Sequence, residues 1–224
     1  MNSKRKNQNR KITEAVVGIA MFAALAYGVT FVFRIPVSFL TFDAKDAVIT
    51  VASFVYGPLA GVIMSLLTAL IELFTVSGTG FYGFVMNFVS SAVFAATASG
   101  IYKLWRNPRG AVLGPVLAVL TMTGTMLLMN LWITPIYMGA PRDQVVAMIP
   151  TLLFPFNLAK GLLNAALAML LYKPLSVALS RAGLVGRGEE KKSFSWNRTS
   201  ILIAVVSLLM IAAAVILFVF LRQK

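Results

Sequence analysis

The sequence predicts an all-α integral membrane protein, and three observations carry that prediction. Hydrophobic residues make up 59% of the 224-residue chain and charged residues only 12%, whereas soluble domains are roughly 45–50% apolar. Several apolar runs reach the roughly 17–25 residues with which a helix crosses a bilayer. Basic residues collect between these runs. Because the connections are short, we expect one compact helical bundle without a large soluble domain.

The composition excludes several kinds of chemistry. The chain has no Cys and no His, which excludes disulfides, cysteine nucleophiles and thiolate or imidazole metal sites. A serine triad also needs His, and Asp43 and Asp46 are too near the membrane surface for an intramembrane protease dyad. No stretch matches the phosphate-binding G-x-x-x-x-G-K-[ST] motif. We therefore expect no enzymatic activity, no nucleotide hydrolysis by this chain, no cofactor and no metal.

The net charge of +13 would suggest a nucleic-acid partner in a soluble protein, but here its distribution follows the membrane segments. Basic residues form three clusters, within 4–11, 103–109 and 173–198. If these clusters face the cytoplasm, few cations remain outside, as the positive-inside rule requires. We expect a multi-pass protein of the cell membrane with a cytoplasmic N-terminus. Attraction to anionic lipid is a by-product, and no nucleic acid is expected.

Residues 1–11 are predicted to be a basic cytoplasmic N-terminus, and 12–33 the first span. A cleavable signal peptide is the competing interpretation, because Ala24-Leu25-Ala26 resembles a small-residue cleavage site. We reject it because the run is long enough to span and carries Glu14 near its start, whereas the apolar region of a signal is about 7–15 residues.

Small residues recur every fourth position on this first helix, at Ala20, Ala24 and Gly28. Such a strip lets another helix approach closely. Two interpretations stay open at this point: internal packing within the bundle, or docking of a partner membrane protein.

An outer connection follows and leads into a short second helix at 46–56, which Gly57-Pro58 ends. A third helix is predicted at 59–74 and a fourth at 81–105, separated by a turn that contains Gly78 and Gly80. Eleven residues are too few to cross a bilayer. The second helix is therefore short or steeply inclined.

The fifth helix is predicted at 111–132, followed by an outer loop at 134–144. The sixth helix, at 145–172, contains Pro150 and Pro155 as expected kinks. The whole six-helix domain spans 12–180. A basic cytoplasmic linker at 181–199 and an additional transmembrane helix within 200–224, whose apolar run is 200–221, complete the chain.

Polar groups concentrate in the predicted outer half of the membrane. Ionisable groups there are costly and indicate a functional site, and Asn157, Lys160 and Asn164 share one helix face. The polar groups converge in the outer half instead of lining a pore, which favours a pocket over a channel. Phe39, Phe42, Phe81, Phe84 and Phe88 can offer aromatic surface to a flat ring. The candidate substrate-binding residues are Thr41, Phe42, Asp43, Ala44, Lys45, Glu72, Asn87, Asn130, Asn157, Lys160 and Asn164.

Three short stretches carry a family resemblance. They read F-L-T-F-D-A-K-D at 39–46, F-V-Y-G-P-L-A-G at 54–61 and F-P-F-N-L-A-K-G at 154–161. Together with the small-residue strip, they make the chain resemble the S components of energy-coupling factor (ECF) vitamin transporters, most closely the riboflavin-specific type. The resemblance implies a six-helix bundle that captures a vitamin from outside. It also implies delivery by reorientation, in complex with a transmembrane coupling protein and two cytosolic ATPases.

The resemblance also assigns roles to residues. It implies flavin contacts at Thr41, at 42–45, and at Asn130, Asn157 and Lys160, while Glu72, Asn87 and Asn164 are added from depth and helical face. Ala20 and Ala24 match the family's A-x-x-x-A docking motif for the coupling protein. Glu72 and the 200–221 helix depart from the family pattern. Glu72 either pairs with Lys160 or Lys45, in which case the pair can be purely structural, or it alters substrate preference.

Three alternatives stay open on the sequence alone. One is an S component for another vitamin or precursor, such as a thiamin pyrimidine or a pantothenate-like compound. Another is a solitary proton-coupled secondary transporter, in which Glu72 or Asp46 carries the proton. The third is a purely structural membrane protein.

Overall fold

The fold is a helical bundle with one small β-hairpin. The structure, a computed structural model, describes residues 2–181 and 198–222, so the predicted linker at 181–199 lies almost entirely outside the described residues. The elements are α1 (Asn2–Val32), β1 (Arg34–Val37), β2 (Leu40–Asp43), α2 (Lys45–Tyr56), α3 (Pro58–Thr75), α4 (Gly80–Leu104), α5 (Pro108–Met138), α6 (Arg142–Met148), a π-helical turn (Ile149–Leu153), α7 (Phe154–Arg181) and α8 (Arg198–Arg222).

Six of the described segments are long and apolar enough to cross a membrane: α1, α3, α4, α5, the α6–α7 segment and α8. Helix α2 has only 12 residues, of which the first nine, Lys45–Ser53, are buried. It contacts α1, α3, α4 and α7, so it forms the centre of the bundle. The predicted all-α membrane fold, with six S-component helices and an extra C-terminal helix, is confirmed.

The connection between α1 and α2 contains secondary structure that the sequence did not reveal. Strands β1 and β2 pair antiparallel, with Arg34 opposite Asp43 and Val37 opposite Leu40. A two-residue turn joins them, and Ser38 adopts a left-handed conformation with φ of 56°. Tight hairpin turns require such positive φ values. The hairpin leads directly into the buried first turn of α2.

The predicted stop at Gly57-Pro58 is confirmed, and its geometry explains it. Gly57 has φ of 94°, a backbone angle that residues with a Cβ rarely adopt. Pro58 begins α3, where its missing N–H leaves no helical hydrogen bond unmade. The turn therefore reverses the chain sharply between two packed helices.

The predicted outer loop at 134–144 is wrong in extent. Helix α5 continues through Pro135 to Met138, and α6 begins at Arg142. Pro135 has no N–H to donate to the Leu131 carbonyl, a loss that membrane helices tolerate. The backbone N–H groups of Gly139 and Ala140 donate to the Pro135 carbonyl at the end of the helix. Of the two predicted kinks, Pro150 lies in the π-helical turn, an irregularity that often marks functional positions in helices, and Pro155 lies in the first turn of α7.

Helix α1 packs through one face and leaves the small-residue strip uncovered. Phe22, Ala23 and Ala26 are buried against α2 and α3. Ala20, Ala24 and Gly28 are exposed, and a side chain added at Gly28 would meet nothing within 4 Å in the described chain. Packing inside the described bundle therefore does not account for this strip.

Candidate functional site

Two adjoining cavities lie where the hairpin meets α3, α4, α5 and α7. The amide cavity, with a volume of ≈ 80 Å³, is lined by Phe39, Leu40, Thr41, Thr79, Tyr82, Gly83, Met86, Asn87, Ser90, Met126, Asn130, Ile133, Thr134, Tyr137, Phe156, Asn157 and Lys160. The ion-pair cavity, with a volume of ≈ 290 Å³, is lined by Thr30, Arg34, Pro36, Ser38, Phe39, Leu40, Thr41, Asp43, Lys45, Ala69, Glu72, Leu73, Val76, Ser77, Gly78, Thr79, Phe84, Asn87 and Tyr137.

The two cavities are adjacent, because six residues line both of them. The residues common to both linings are Phe39, Leu40, Thr41, Thr79, Asn87 and Tyr137. The amide cavity alone is smaller than the roughly 150 Å³ cavity that accepts benzene in an apolar core. Small-molecule sites usually measure about 300–1,000 Å³. A vitamin-sized ligand therefore needs the volume of both cavities.

Buried ion pairs hold the elements around the cavities together. Lys160 Nζ on α7 lies 3.0 Å from Asp43 Oδ2 at the end of β2. Lys45 Nζ, at the start of α2, lies 2.6 Å from Glu72 Oε2 on α3 and 3.8 Å from Asp43 Oδ2. These side chains are at most 4% exposed. Charges removed from water this completely need close partners, so the pairs tie β2, α2, α3 and α7 to one another.

Glu72 is the centre of a hydrogen-bond cluster. Its Oε1 accepts from Thr30 Oγ1 on α1 at 3.1 Å and from Lys45 Nζ at 2.7 Å. Its Oε2 accepts from Lys45 Nζ and, at 3.2 Å, from the Asn87 amide on α4. The cluster links four helices through one carboxylate. Because Asn87 lines both cavities, Glu72 also orients an amide that faces the ligand space.

Two further amides are oriented by their own helices. Asn130 donates to the Met126 carbonyl at 2.7 Å and accepts from Thr134 Oγ1 at 2.8 Å. Asn157 donates to the Leu153 carbonyl, in the π-helical turn, at 2.7 Å. Each side chain is held in one orientation at the cavity wall, which lowers the entropy cost of binding a ligand there.

Asn164 lies about two turns beyond Asn157 on α7, where its hydrogen bonds are to the protein itself. Its amide nitrogen donates to the carbonyls of Asp43 and Lys160, at 2.9 Å and 3.0 Å. Its oxygen accepts from the Ala47 backbone N–H in the first turn of α2, at 2.9 Å. First-turn N–H groups lack intrahelical partners, so Asn164 caps α2 from outside and fixes the junction with β2.

The structure brings most of the predicted site residues together. Thr41 and Asn87 line both cavities, Asn130, Asn157 and Lys160 line the amide cavity, and Asp43, Lys45 and Glu72 line the ion-pair cavity. Three of the predicted residues, Phe42, Ala44 and Asn164, are buried and line neither. Among the predicted aromatic residues, Phe39 and Phe84 reach the cavities, whereas Phe81 is 65% exposed.

Several residues that line the amide cavity were not predicted from the sequence, although most of them lie at helical spacing from a predicted asparagine. Gly83 and Ser90 lie four and three positions from Asn87 on α4, and Thr134 and Tyr137 lie four and seven positions after Asn130 on α5. Residues three or four apart share a helix face, so each predicted asparagine pointed to its neighbours. The Ser90 hydroxyl is buried and has no hydrogen-bond partner among the described residues. It is therefore available to a ligand.

Comparison with known proteins agrees with this architecture. Residues 14–172 match the family model described as ECF transporter, substrate-specific component. The chain is similar to the riboflavin transporter RibU of Staphylococcus aureus (strain TCH60), with 30% identity over 81% of this chain and 100% of the relative. It is also similar to RibU of Streptococcus thermophilus, with 25% identity over 75% of this chain and 85% of the relative.

A solved structure shares the fold. It is reported as the structure and mechanism of the S component of a bacterial ECF transporter. The similarity covers 78% of this chain and 99% of that chain, with a TM-score of 0.63 and 30% identity. Helix α8 lies beyond the segment that the family model matches.

Proposed function

This chain belongs to the substrate-specific components of ECF transporters, and we propose that its substrate is riboflavin, taken up from the outer side of the membrane. The observation that carries this proposal is the convergence of amides and Lys160 with aromatic residues around two adjoining cavities. Two relatives carrying the name riboflavin transporter support the same substrate.

Riboflavin combines a flat apolar ring system, a polar ring edge and a chain of hydroxyl groups. In our proposal the polar edge meets Asn130, Asn157 and Lys160, while the rings lie against Phe39 and Tyr137. The hydroxyl chain extends into the ion-pair cavity. A ligand in this position meets both polar and apolar groups where its own chemistry requires them.

Lys160 donates a hydrogen bond to Asp43, so in the proposed complex it has to contact both Asp43 and the substrate. An ammonium group has three donors, and one contact to Asp43 leaves others for a carbonyl oxygen of the substrate. Retaining the ion pair avoids leaving Asp43 as a buried unpaired charge. We therefore propose that Lys160 contacts the substrate without releasing Asp43.

The proposed orientation follows from the basic clusters. With the N-terminus in the cytoplasm, the loop at 105–107 between α4 and α5 is cytoplasmic and the hairpin lies outside. The cavities beside the hairpin then open toward the extracellular side. The positive-inside rule supports this arrangement.

The exposed strip Ala20, Ala24 and Gly28 is the proposed docking surface for a transmembrane coupling protein. Helices approach closely at small residues, and packing is the main driving force between helices in lipid. Two cytosolic ATPases complete the proposed complex, because no segment of this chain resembles a nucleotide-binding loop.

The first test is the visible absorption of the full chain purified in detergent, followed by titration with riboflavin if the preparation is colourless. We expect a yellow preparation, or quenching of flavin fluorescence that saturates at one flavin per chain. A preparation that does not bind riboflavin but binds a thiamin or pantothenate precursor would overturn riboflavin as the substrate. Uptake driven by a proton gradient without any ATPase would support the alternative of a solitary secondary transporter.

A further inference from the structure

The C-terminal helix α8, which lies outside the segment matched to the family, packs along α7. Its inward face repeats at intervals of three and four residues. Ser207, Ala214 and Leu221 are buried, while Ile211 and Phe218 are partly buried. Residues such as Leu209 and Ile216, on the other side, are 65% and 69% exposed. Helix α8 is therefore attached through one defined face.

At its outer end this face reaches the hairpin. The ring of Phe218 lies 5.2 Å from the ring of Phe42 on β2, measured between centroids. Phe42 in turn lies 6.2 Å from Phe156 on α7, in an edge-to-face arrangement. These separations are typical of favourable aromatic pairs. Since Phe156 lines the amide cavity, a row of three rings connects α8 to the wall of the site.

The contact between Phe218 and Phe42 affects the substrate site because side chains alternate along β2. Successive residues of a strand point to opposite sides. Phe42 points toward α7 and α8, while its neighbours Thr41 and Asp43 line the cavities. A force that holds Phe42 in place therefore also holds Thr41 and Asp43 toward the ligand.

The hairpin needs such a restraint from outside. An isolated two-stranded hairpin is at best marginally stable, and β1 and β2 have four residues each. On the face of β2 toward the cavities, Lys160 holds the side chain of Asp43 and Asn164 holds its backbone carbonyl. On the opposite face, helix α8 supplies apolar contacts to Phe42.

We propose that α8 is a positioning helix for the substrate site: Phe218 holds Phe42 and thereby keeps β2 oriented with Thr41 and Asp43 toward the ligand. The effect on affinity rests on the proposed function, whereas the effect on the hairpin does not. Phe218 is a positioning residue, since it lines neither cavity itself.

Because the chain contains no Cys, a single Ser38→Cys substitution allows a spin label to be attached at the tip of the hairpin. Label mobility is compared by electron paramagnetic resonance in the full chain without ligand. The reference is the labelled chain that carries only Ser38→Cys. Phe218→Ala should increase mobility and Phe218→Leu should increase it less. Ile216→Ala, which truncates an outward-facing residue of the same helix, should leave it unchanged.

Riboflavin titration of the same Phe218 and Ile216 variants without the Ser38 substitution, because Ser38 lines the ion-pair cavity, supplies the second measurement. Phe218→Ala should raise the dissociation constant about twofold to tenfold, as expected for loss of one aromatic pair, with Phe218→Leu between it and the original chain. Unchanged mobility with Phe218→Ala, or an equal increase with Ile216→Ala, would overturn the proposal. If Phe218→Ala does not fold, Phe218→Leu against Ile216→Ala decides by the same criterion. Failure of the original, unlabelled chain to bind riboflavin would overturn the substrate assignment, while the mobility comparison would still decide the role of α8.

Discussion

Lys45 and Glu72 form a two-point ion pair at the centre of the bundle, with the ammonium nitrogen 2.7 Å and 2.6 Å from the two carboxylate oxygens. Both residues are at most 3% exposed. On the sequence Glu72 was a candidate substrate-binding residue, and its predicted partner was either Lys45 or Lys160. The structure decides in favour of Lys45, and Lys160 pairs with Asp43 instead.

Glu72→Gln should destabilise the protein strongly, because it leaves the buried Lys45 ammonium without its closest counter-charge. Breaking one side of a buried pair costs roughly 3–5 kcal/mol. The free energy of unfolding, measured by titration with a denaturing detergent, reports this loss. Glu14→Gln removes one partner of an exposed pair with Arg10 and should cost less than about 1 kcal/mol. Similar losses for both variants would show that the buried pair has no special role in stability.

A double variant that removes both charges tests whether Lys45 and Glu72 are directly coupled. Lys45→Met combined with Glu72→Gln removes both charges, so neither remains buried and unpaired. We expect the double variant to be more stable than Glu72→Gln alone, since replacing a buried pair by uncharged groups is often neutral. Additive losses in the two single variants and the double variant would contradict direct coupling between these side chains.

Asn157→Ala should weaken riboflavin binding by about tenfold to a hundredfold, which corresponds to one hydrogen bond left unmade in a buried site. Lys160→Ala should weaken binding as well, and it should also reduce stability because Asp43 loses its partner. Fluorescence quenching measures affinity, and thermal unfolding separates the two effects. Asn107→Ala, which removes the N-cap of α5 outside both cavity linings, is the control and should leave affinity unchanged.

Ser90→Ala should weaken riboflavin binding without destabilising the free protein. The Ser90 hydroxyl has no partner among the described residues, so removing it breaks no hydrogen bond in the absence of ligand. Ser99→Ala offers a comparison, because the Ser99 hydroxyl donates to the Ala95 carbonyl at 2.6 Å and does not line either cavity. Equal affinity of Ser90→Ala and the original protein would show that this hydroxyl does not contact the substrate.

Asn164→Ala should act first on stability, although the sequence placed this residue in the substrate site. It removes the cap of α2 and two hydrogen bonds to the Asp43 and Lys160 carbonyls, so we expect a loss of about 1–3 kcal/mol without ligand. Comparison with Asn157→Ala in the same unfolding assay distinguishes the two roles. A smaller loss for Asn164→Ala than for Asn157→Ala would argue against the capping role.

Ala24→Leu should preserve riboflavin binding and abolish uptake in a reconstituted complex. The added side chain projects from an exposed strip where close helix approach requires small residues. Ala212→Leu makes the same change on the exposed side of α8 and should leave both binding and uptake intact. Normal uptake by Ala24→Leu would refute this strip as the docking surface.

The sequence predicted the number and approximate positions of the long helices because apolar length is a local property. A run such as 200–221 is recognisable whatever it packs against, and Gly57-Pro58 interrupts a helix through its own backbone geometry. Where local rules compete with context, prediction failed: α5 continues through Pro135 because the surrounding protein and membrane favour a helix over exposed backbone.

Which polar residues would converge was also predicted in large part, because charged and amide side chains at membrane depth are costly and so indicate a site. Their partners were not predictable. Lys45 and Glu72 are separated by 27 residues, and Asn164 and the Ala47 N–H by 117. Thus the sequence alone determined a membrane bundle with a polar region near one side. Only the tertiary structure decided which polar groups face the cavities and which hold the helices together, because that choice depends on contacts between segments far apart in the chain.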